Sequence, residues 1–223
     1  SAERVLLGTQ VEPGTRFTLA ASSGGDVAVA VEGQSSPFVT ERVSTPSGPV
    51  EYRVRADGFW QVHTQAPQLL VDAVLDHLEG ATRVLDLYAG SGLFGVAIAA
   101  QGIDVTLVEF DRRAAKDAEH NVRAWPHATV VPGDVRRALA SGSLKGFDAV
   151  VLDPPRSGAG AKTLDQLVAL GPDVVVYVAC DPVALARDVY LLQERGYALE
   201  SAQGLDLFPM THHVETVARF IKQ

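Results

Sequence analysis

Several residues able to do chemistry stand at or just after apolar runs. Asp86 sits in RVLDL ahead of Tyr88-Ala89-Gly90-Ser91-Gly92, Glu109 follows VTLV, Asp134 follows ATVVPG, Asp153 follows AVVL, and Cys180 follows VVYVA. Closely spaced glycines let backbone amides approach a ligand, and a carboxylate at the next strand end is the usual partner of a ribose diol. Gly90 and Gly92 followed by Glu109 and Asp134 therefore read as a site for an adenosine-containing ligand, with Asp86 and Tyr88 in the same loop. Read as Gly90-x-Gly92 running on into Leu93-Phe94, the loop is assigned no third glycine of the dinucleotide arrangement, and no cationic side chain stands in it to meet a pyrophosphate. S-adenosylmethionine is then a better candidate than NAD. Asp134, ahead of a short helical stretch, also fits a plain helix cap.

Asp153-Pro154-Pro155-Arg156 is a different device. Each proline removes a donor and restricts the chain, which fixes a rigid loop at a strand end. Such a loop could hold a carboxylate acceptor and a guanidinium donor against a planar base; uracil, with one N–H donor and two carbonyls, matches that pair. Pairing of Arg156 with a nearby acid is the plainer alternative. Cys180, the only cysteine, precedes Asp181-Pro182 at a helix start. Helix amides could favour a thiolate and lower its pKa if the sulfur points toward them, yet an isolated cysteine is often only an apolar core residue.

These residues need a scaffold. From about residue 66 the chain alternates helical periodicity, beginning with APQLLVDAVLDHLE, and near-continuous apolar strands. The helix at 66–79 is expected to turn Leu69, Leu70, Ala73, Val74 and Leu78 inward. The pattern predicts an α/β fold with a mainly parallel seven-stranded sheet covered on both faces, closed by an antiparallel hairpin. Residues 1–55 alternate with period two between Pro-Gly, Gly-Gly and Pro-Ser-Gly breaks, which predicts a small β-rich antiparallel subdomain leaning on residues 56–223. At 223 residues, 47 % hydrophobic and 21 % charged, the composition is that of a globular chain. No apolar stretch reaches membrane-spanning length, and one cysteine forms neither an internal disulfide nor a thiolate metal site, so a cytoplasmic setting is expected.

Taken together, FWQVHTQ, LDLYAGSGLFG, VVLDPPRSG, VVYVACDPVALARD and FPMTHHVE resemble the catalytic half of the RNA uracil-5-methyltransferase family, over about residues 57–223. The resemblance implies a class I methyltransferase, Rossmann-like fold, S-adenosylmethionine as cofactor with S-adenosylhomocysteine as product, and a uridine in transfer RNA or 23S ribosomal RNA as target. It also implies that Cys180 is the nucleophile and Glu215 the general base. Asp153 and Arg156 would engage the base, Gln61 would lie between cofactor and substrate, and Glu109 and Asp134 would hold the adenosine. His212 and His213 beside Glu215 read as structural hydrogen-bonding groups, with no metal expected, because alternate side chains of an extended segment diverge. Phe59 and Trp60 offer either a base-stacking surface or packing at the junction.

The sequence departs from that family at His63, where FxQxN-type members carry asparagine, and at Ala89, where many carry cysteine. Family members are commonly about twice as long, with an N-terminal RNA-binding module and in some cases an iron–sulfur cluster. A net charge of −8 is poor preparation for binding a polyanion; either the sequence is a catalytic fragment, whose absent module could carry most phosphate contacts, or it is a compact variant. Within this chain Arg53, Arg55, Arg156 and Arg187 are the candidate local contacts. Two other functions fit part of the pattern: a methyltransferase for a small molecule or free nucleoside, and a non-catalytic RNA-binding or assembly protein.

Overall fold

The computed structural model of the chain describes residues 14–208, 210–211 and 213–223; His212 therefore lies outside the described residues. The N-terminal part forms two hairpins: β1 (Phe17–Ala21) with β2 (Val27–Val31), and β3 (Phe38–Thr45) with β4 (Gly48–Arg55). The alternating pattern predicts one small sheet here; two separate two-stranded sheets form instead. Small side chains in VAVAV leave the first hairpin little to bury, and Phe17 and Leu19 stay exposed. The second hairpin turns Val39, Val43, Val50, Tyr52 and Val54 inward, into one apolar cluster with the helices that follow. A lone two-stranded hairpin is marginal in water, so this shared burial is what holds it. Tyr52 donates from its hydroxyl to the Leu93 carbonyl at 2.9 Å, and Asn121 accepts from Arg53 N while its amide donates to the Arg53 and Ser91 carbonyls.

The remaining elements are α1 (Ala66–His77), β5 (Arg83–Leu87), α2 (Leu93–Ala100), β6 (Asp104–Glu109), α3 (Arg112–Val122), β7 (Ala128–Pro132) and α4 (Val135–Ala140). They continue as β8 (Ala149–Leu152), α5 (Ala161–Ala169), β9 (Val174–Ala179), α6 (Pro182–Gln193), β10 (Tyr197–Leu205) and β11 (Glu215–Lys222). One sheet runs in the order β10-β11-β9-β8-β5-β6-β7, with β9, β8, β5, β6 and β7 parallel. β11 lies between β9 and β10, antiparallel to both, so the expected closing hairpin forms with its second strand on the inside.

Burial on both faces explains the apolar strands: every residue of β8 is buried. Leu70, Val74, Ile98 and Ala118 from α1–α3 fill one side, while Leu139, Leu164, Leu167 and Leu192 from α4–α6 fill the other. In α1, Val71 is buried and Leu69 is 39 % exposed, against the expected inward face, because the helix also packs under β3. The strand order reverses direction between β5 and β8, and the crevice at their carboxyl ends is where ligands of such sheets bind. No helix among the described residues is long and apolar enough to cross a membrane.

Candidate active site

After β5 the chain turns through Tyr88, Gly90 and Gly92, at φ +64°, +56° and +97°. A left-handed tyrosine is unusual, and this one is the pivot that sends the chain from strand into glycine turn. Gly92 is the residue before α2, and a Cβ there would press on Val96 and Leu107 at 3.3 and 3.4 Å. Gly95, passed over when the loop is read as Gly90-x-Gly92, is more constrained: a Cβ would fall 2.3 Å from Leu107 Cδ2. It completes the spacing Gly90-x-Gly92-x-x-Gly95, so the supposed lack of a third glycine is corrected and does not separate S-adenosylmethionine from NAD. Its work here is close approach of α2 to β6.

Three carboxylates follow along the rim. Asp86 is buried; its Oδ2 accepts from Gly95 N at 2.9 Å, and Oδ1 has no partner among the described residues. Burial holds its carboxyl well above the usual range, with Asp153 and Glu109 adding to the effect. Glu109 ends β6, where Oε2 accepts from Gly90 N at 2.8 Å and Oε1 from Asp111 N at 2.6 Å. Asp134 caps α4 by accepting from Arg137 N at 3.0 Å, which is the plain role open to it in the sequence. Phe110, unremarked in the sequence although it adjoins Glu109, is 73 % exposed. An orphaned carboxylate oxygen, clear space around Gly90 Cα, and a carboxylate and exposed aromatic at the end of β6 together fit an adenosine-type ligand.

Gln61 is partly buried in the loop after β4. That loop is fixed by Trp60, whose ring packs at 5.2 Å from Tyr52, and by Arg113 Nη2, which donates to both oxygens of Asp57 at 2.8 and 2.7 Å. Trp60 thus takes the packing role, while Phe59 stays 75 % exposed. His63 accepts from Gln65 N through Nδ1 at 3.2 Å.

The other half of the rim gathers Asp153, Arg156, Cys180 and Glu215. Cys180 is the first residue beyond β9, and Glu215 is the first of β11. Thr216 pairs with Ala179, so the next rung sets Glu215 opposite Cys180. Asp153 follows β8, the strand beside β9, and donates from its amide to the Leu87 carbonyl. Cys180 and Arg156 line one small cavity with Pro154 and Pro155.

Electrostatics correct one expectation. Burial pushes the Cys180 thiol up rather than down, and Glu215 and Asp153 push it further; Arg156 works the other way. Asp181 explains why the start of α6 does not lower it: its carboxylate caps the helix, accepting from Ala184 N at 2.8 Å, and occupies that electropositive end. Burial also raises Glu215, again opposed by Arg156. Asp153 is pushed up to about 7, first by burial and then by Glu215. Three acidic groups with one exposed guanidinium among them share their protons as a set.

The loop carrying Arg156 is anchored by a cluster that sequence patterning does not expose. Asp188, fully buried on α6, accepts from Tyr177 Oη at 2.7 Å, from Ala159 N at 2.7 Å and from Gly160 N at 3.2 Å through Oδ2. Its Oδ1 accepts from Arg187 at 2.8 and 3.0 Å, and Arg187 also donates to the Ser157 carbonyl at 2.7 Å. Gly158, at φ +76°, leaves the space this cluster fills: a Cβ would fall 2.4 Å from Arg187 Nη2. Arg187 is therefore an anchor instead of a phosphate contact. Arg53 and Arg55 are likewise engaged, ion-paired to Asp117 and stacked over Phe38. His213 meets the Phe208 ring edge-on at 5.9 Å, and no three metal-ligating side chains cluster among the described residues.

A seven-stranded sheet with its penultimate strand reversed, a glycine turn after β5 and a carboxylate ending β6 define a class I methyltransferase, Rossmann-like fold. The sequence pattern of the family described as conserved hypothetical protein 95 matches residues 54–194, and the chain belongs to that family. It is 45 % identical to an uncharacterized RNA methyltransferase of Streptomyces avermitilis, over 81 % of this chain and 42 % of that protein. It is 41 % identical to one of Bifidobacterium longum, over 95 % of this chain and 52 % of that protein. The chain thus spans about half the length of the curated relatives it matches. Among solved structures, the Pyrococcus abyssi tRNA (uracil-54, C5)-methyltransferase in complex with S-adenosyl-L-homocysteine superposes with a TM-score of 0.73 at 33 % identity, covering 88 % of this chain and 47 % of that one.

Proposed function

We propose that this protein transfers a methyl group from S-adenosylmethionine to C5 of a uridine in RNA, with Cys180 as nucleophile and Glu215 as base. The observation that carries the reading is the placement of Cys180 and Glu215 on facing positions of β9 and β11, with Asp153 and Arg156 on the same rim. The similarity to the Pyrococcus abyssi enzyme supports the same substrate class. Asp86, Tyr88, Gly90, Gly92, Glu109 and Asp134 would hold the cofactor, with Gln61 at its border toward the base.

S-adenosylmethionine supplies an electrophilic methyl group, toward which C5 of uracil is a poor nucleophile. The Cys180 sulfur adds to C6, and the resulting enolate places electron density on C5, which would take the methyl as its bond to sulfur breaks and S-adenosylhomocysteine leaves. Because burial keeps the thiol protonated in the free protein, the proton passes to a neighbouring carboxylate as the base docks; Asp153, with a pKa of about 7, is matched to receive it. Arg156 donates toward the O4 oxygen and stabilises the enolate. Glu215, made more basic by burial, then removes the C5 proton, the C5–C6 double bond reforms and the sulfur leaves. The uridine must leave its stack to reach this rim, so base flipping is part of the scheme. Methyl transfer from labelled S-adenosylmethionine to unmodified transfer RNA and 23S ribosomal RNA, followed by nucleoside mapping, tests the reading: 5-methyluridine is expected, and label in another nucleoside or in no RNA overturns it.

A further inference from the structure

A second cavity of about 380 Å³ opens beside the one that holds Cys180, on the loop between β8 and α5. The two share Pro155 and Gly158 as a common wall. Arg136, at the start of α4, and Lys162, in the first turn of α5, both line it, together with Ser157, Thr163 and Tyr88. Among the described residues no aspartate or glutamate lines it, in a chain whose net charge is −8.

The two cations differ from most others near the rim. Arg53, Arg55 and Arg187 are each paired with a buried carboxylate. Arg136 and Lys162 are exposed and make no ion pair or side-chain hydrogen bond among the described residues. The acids nearest this wall are already engaged: Asp134 caps α4, and Asp188 is bound by Arg187, Tyr177 and two amides. That second set also fixes the wall itself, since Ser157 O, Ala159 N and Gly160 N are its partners. A cavity with a fixed wall, two unpaired cations, a serine and no carboxylate among the described residues is complementary to a phosphate and its adjoining sugar. The first-turn amides of α5, which a helix leaves without internal acceptors, add donors to those cations without being the basis of the site.

We propose that this cavity binds a phosphodiester of the RNA strand next to the flipped uridine, through Arg136 and Lys162. The assignment rests on the reading of the substrate as RNA and adds a register to it: a base docked on the rim over Cys180, whose own cavity of about 10 Å³ is too small to enclose it, has its backbone toward the shared Pro155–Gly158 wall. It also locates phosphate contacts within this acidic chain.

The test replaces Arg136→Gln and Lys162→Gln, singly and together, and measures binding of unmodified transfer RNA and 23S ribosomal RNA transcripts across a salt series. Binding of S-adenosylhomocysteine is measured in parallel. Both exposed side chains are outside the reacting set, so folding and cofactor affinity are expected to stay unchanged. The double variant is expected to lose RNA affinity and to flatten the slope of log affinity against log salt by about 0.7 for one single-strand phosphate. An unchanged slope and affinity, a wild-type protein that binds neither RNA, or a parallel loss of S-adenosylhomocysteine affinity, which would place the cofactor in this cavity, overturns the assignment. Because binding is read independently of methylation, an RNA phosphate site without 5-methyluridine would sink the uridine chemistry and leave this cavity standing, and the reverse result would do the opposite.

Discussion

Cys180 and Glu215 face each other across the first open rung between β9 and β11, one step beyond the Ala179–Thr216 pair. Facing positions of an antiparallel pair put their side chains on one side of the sheet, and a slip of one residue would send them to opposite sides. The insertion of β11 between β9 and β10 is therefore what brings the proposed nucleophile beside the proposed base, which lies far from it in sequence.

Glu215→Gln keeps the shape of the side chain and removes its basicity. Turnover is expected to fall by about 10²- to 10⁴-fold, with a methylated protein–RNA adduct accumulating that mass spectrometry can detect. An unchanged turnover rate would remove Glu215 from the mechanism.

Asp153 makes stability depend on pH. Its folded pKa of about 7 lies above the unfolded value of about 3.9, so the folded chain holds a proton that the unfolded chain has released between those values. The associated stability is present below about pH 3.9 and is lost as pH rises to about 7. Asp153→Asn should accordingly gain stability over wild type at pH 8, and the gap should shrink toward pH 4. Denaturant midpoints at both pH values check this, and a gap independent of pH would contradict it.

Asp188 holds the Arg156 loop. Asp188→Ala takes the acceptor from the Tyr177 hydroxyl and two loop amides while Arg187 stays half exposed to water, and a loss of about 3 kcal/mol is expected from the donors left unpaired. Tyr177→Phe removes two hydrogen bonds, one donated to Asp188 and one accepted from Ala159 N, but leaves Ala159 N its bond to Asp188, and should cost about 1 kcal/mol. Chemical denaturation separates the two; equal small losses would show that the cluster is not an anchor.

Gly95 and Leu107 form a packing pair. Gly95→Ala is expected to cost about 1–3 kcal/mol by overpacking. Leu107→Ala in the same background should give back part of that loss, so the double variant should be less destabilised than the sum of the singles. Strict additivity would contradict the contact.

Legibility of the fold followed burial. Strands such as Val174–Ala179 and Ala149–Leu152 are buried on both faces, so their apolar runs announced a parallel sheet, and the glycine and carboxylate positions fell at its carboxyl ends as the sequence indicated. Pairings between distant polar groups carry no such periodic mark. Asp188 looks like any charged residue of a helix, yet it anchors a loop from the other side of β9. Arg53 and Arg55 read as surface cations, and their partner Asp117 is visible only once α3 packs against β4. The raised Cys180 thiol had no sequence signal either, because it depends first on burial and then on two carboxylates brought in from other parts of the sheet. Gly95 was readable from its spacing, and its use in packing emerges only against Leu107.

Covalent trapping on RNA containing 5-fluorouridine tests the central chemistry most directly, since fluorine at C5 cannot leave as a proton. The wild-type protein with S-adenosylmethionine is expected to form a stable methylated adduct through residue 180, and Cys180→Ala is expected to form none. Equal trapping by both proteins, or none by either, would contradict the account.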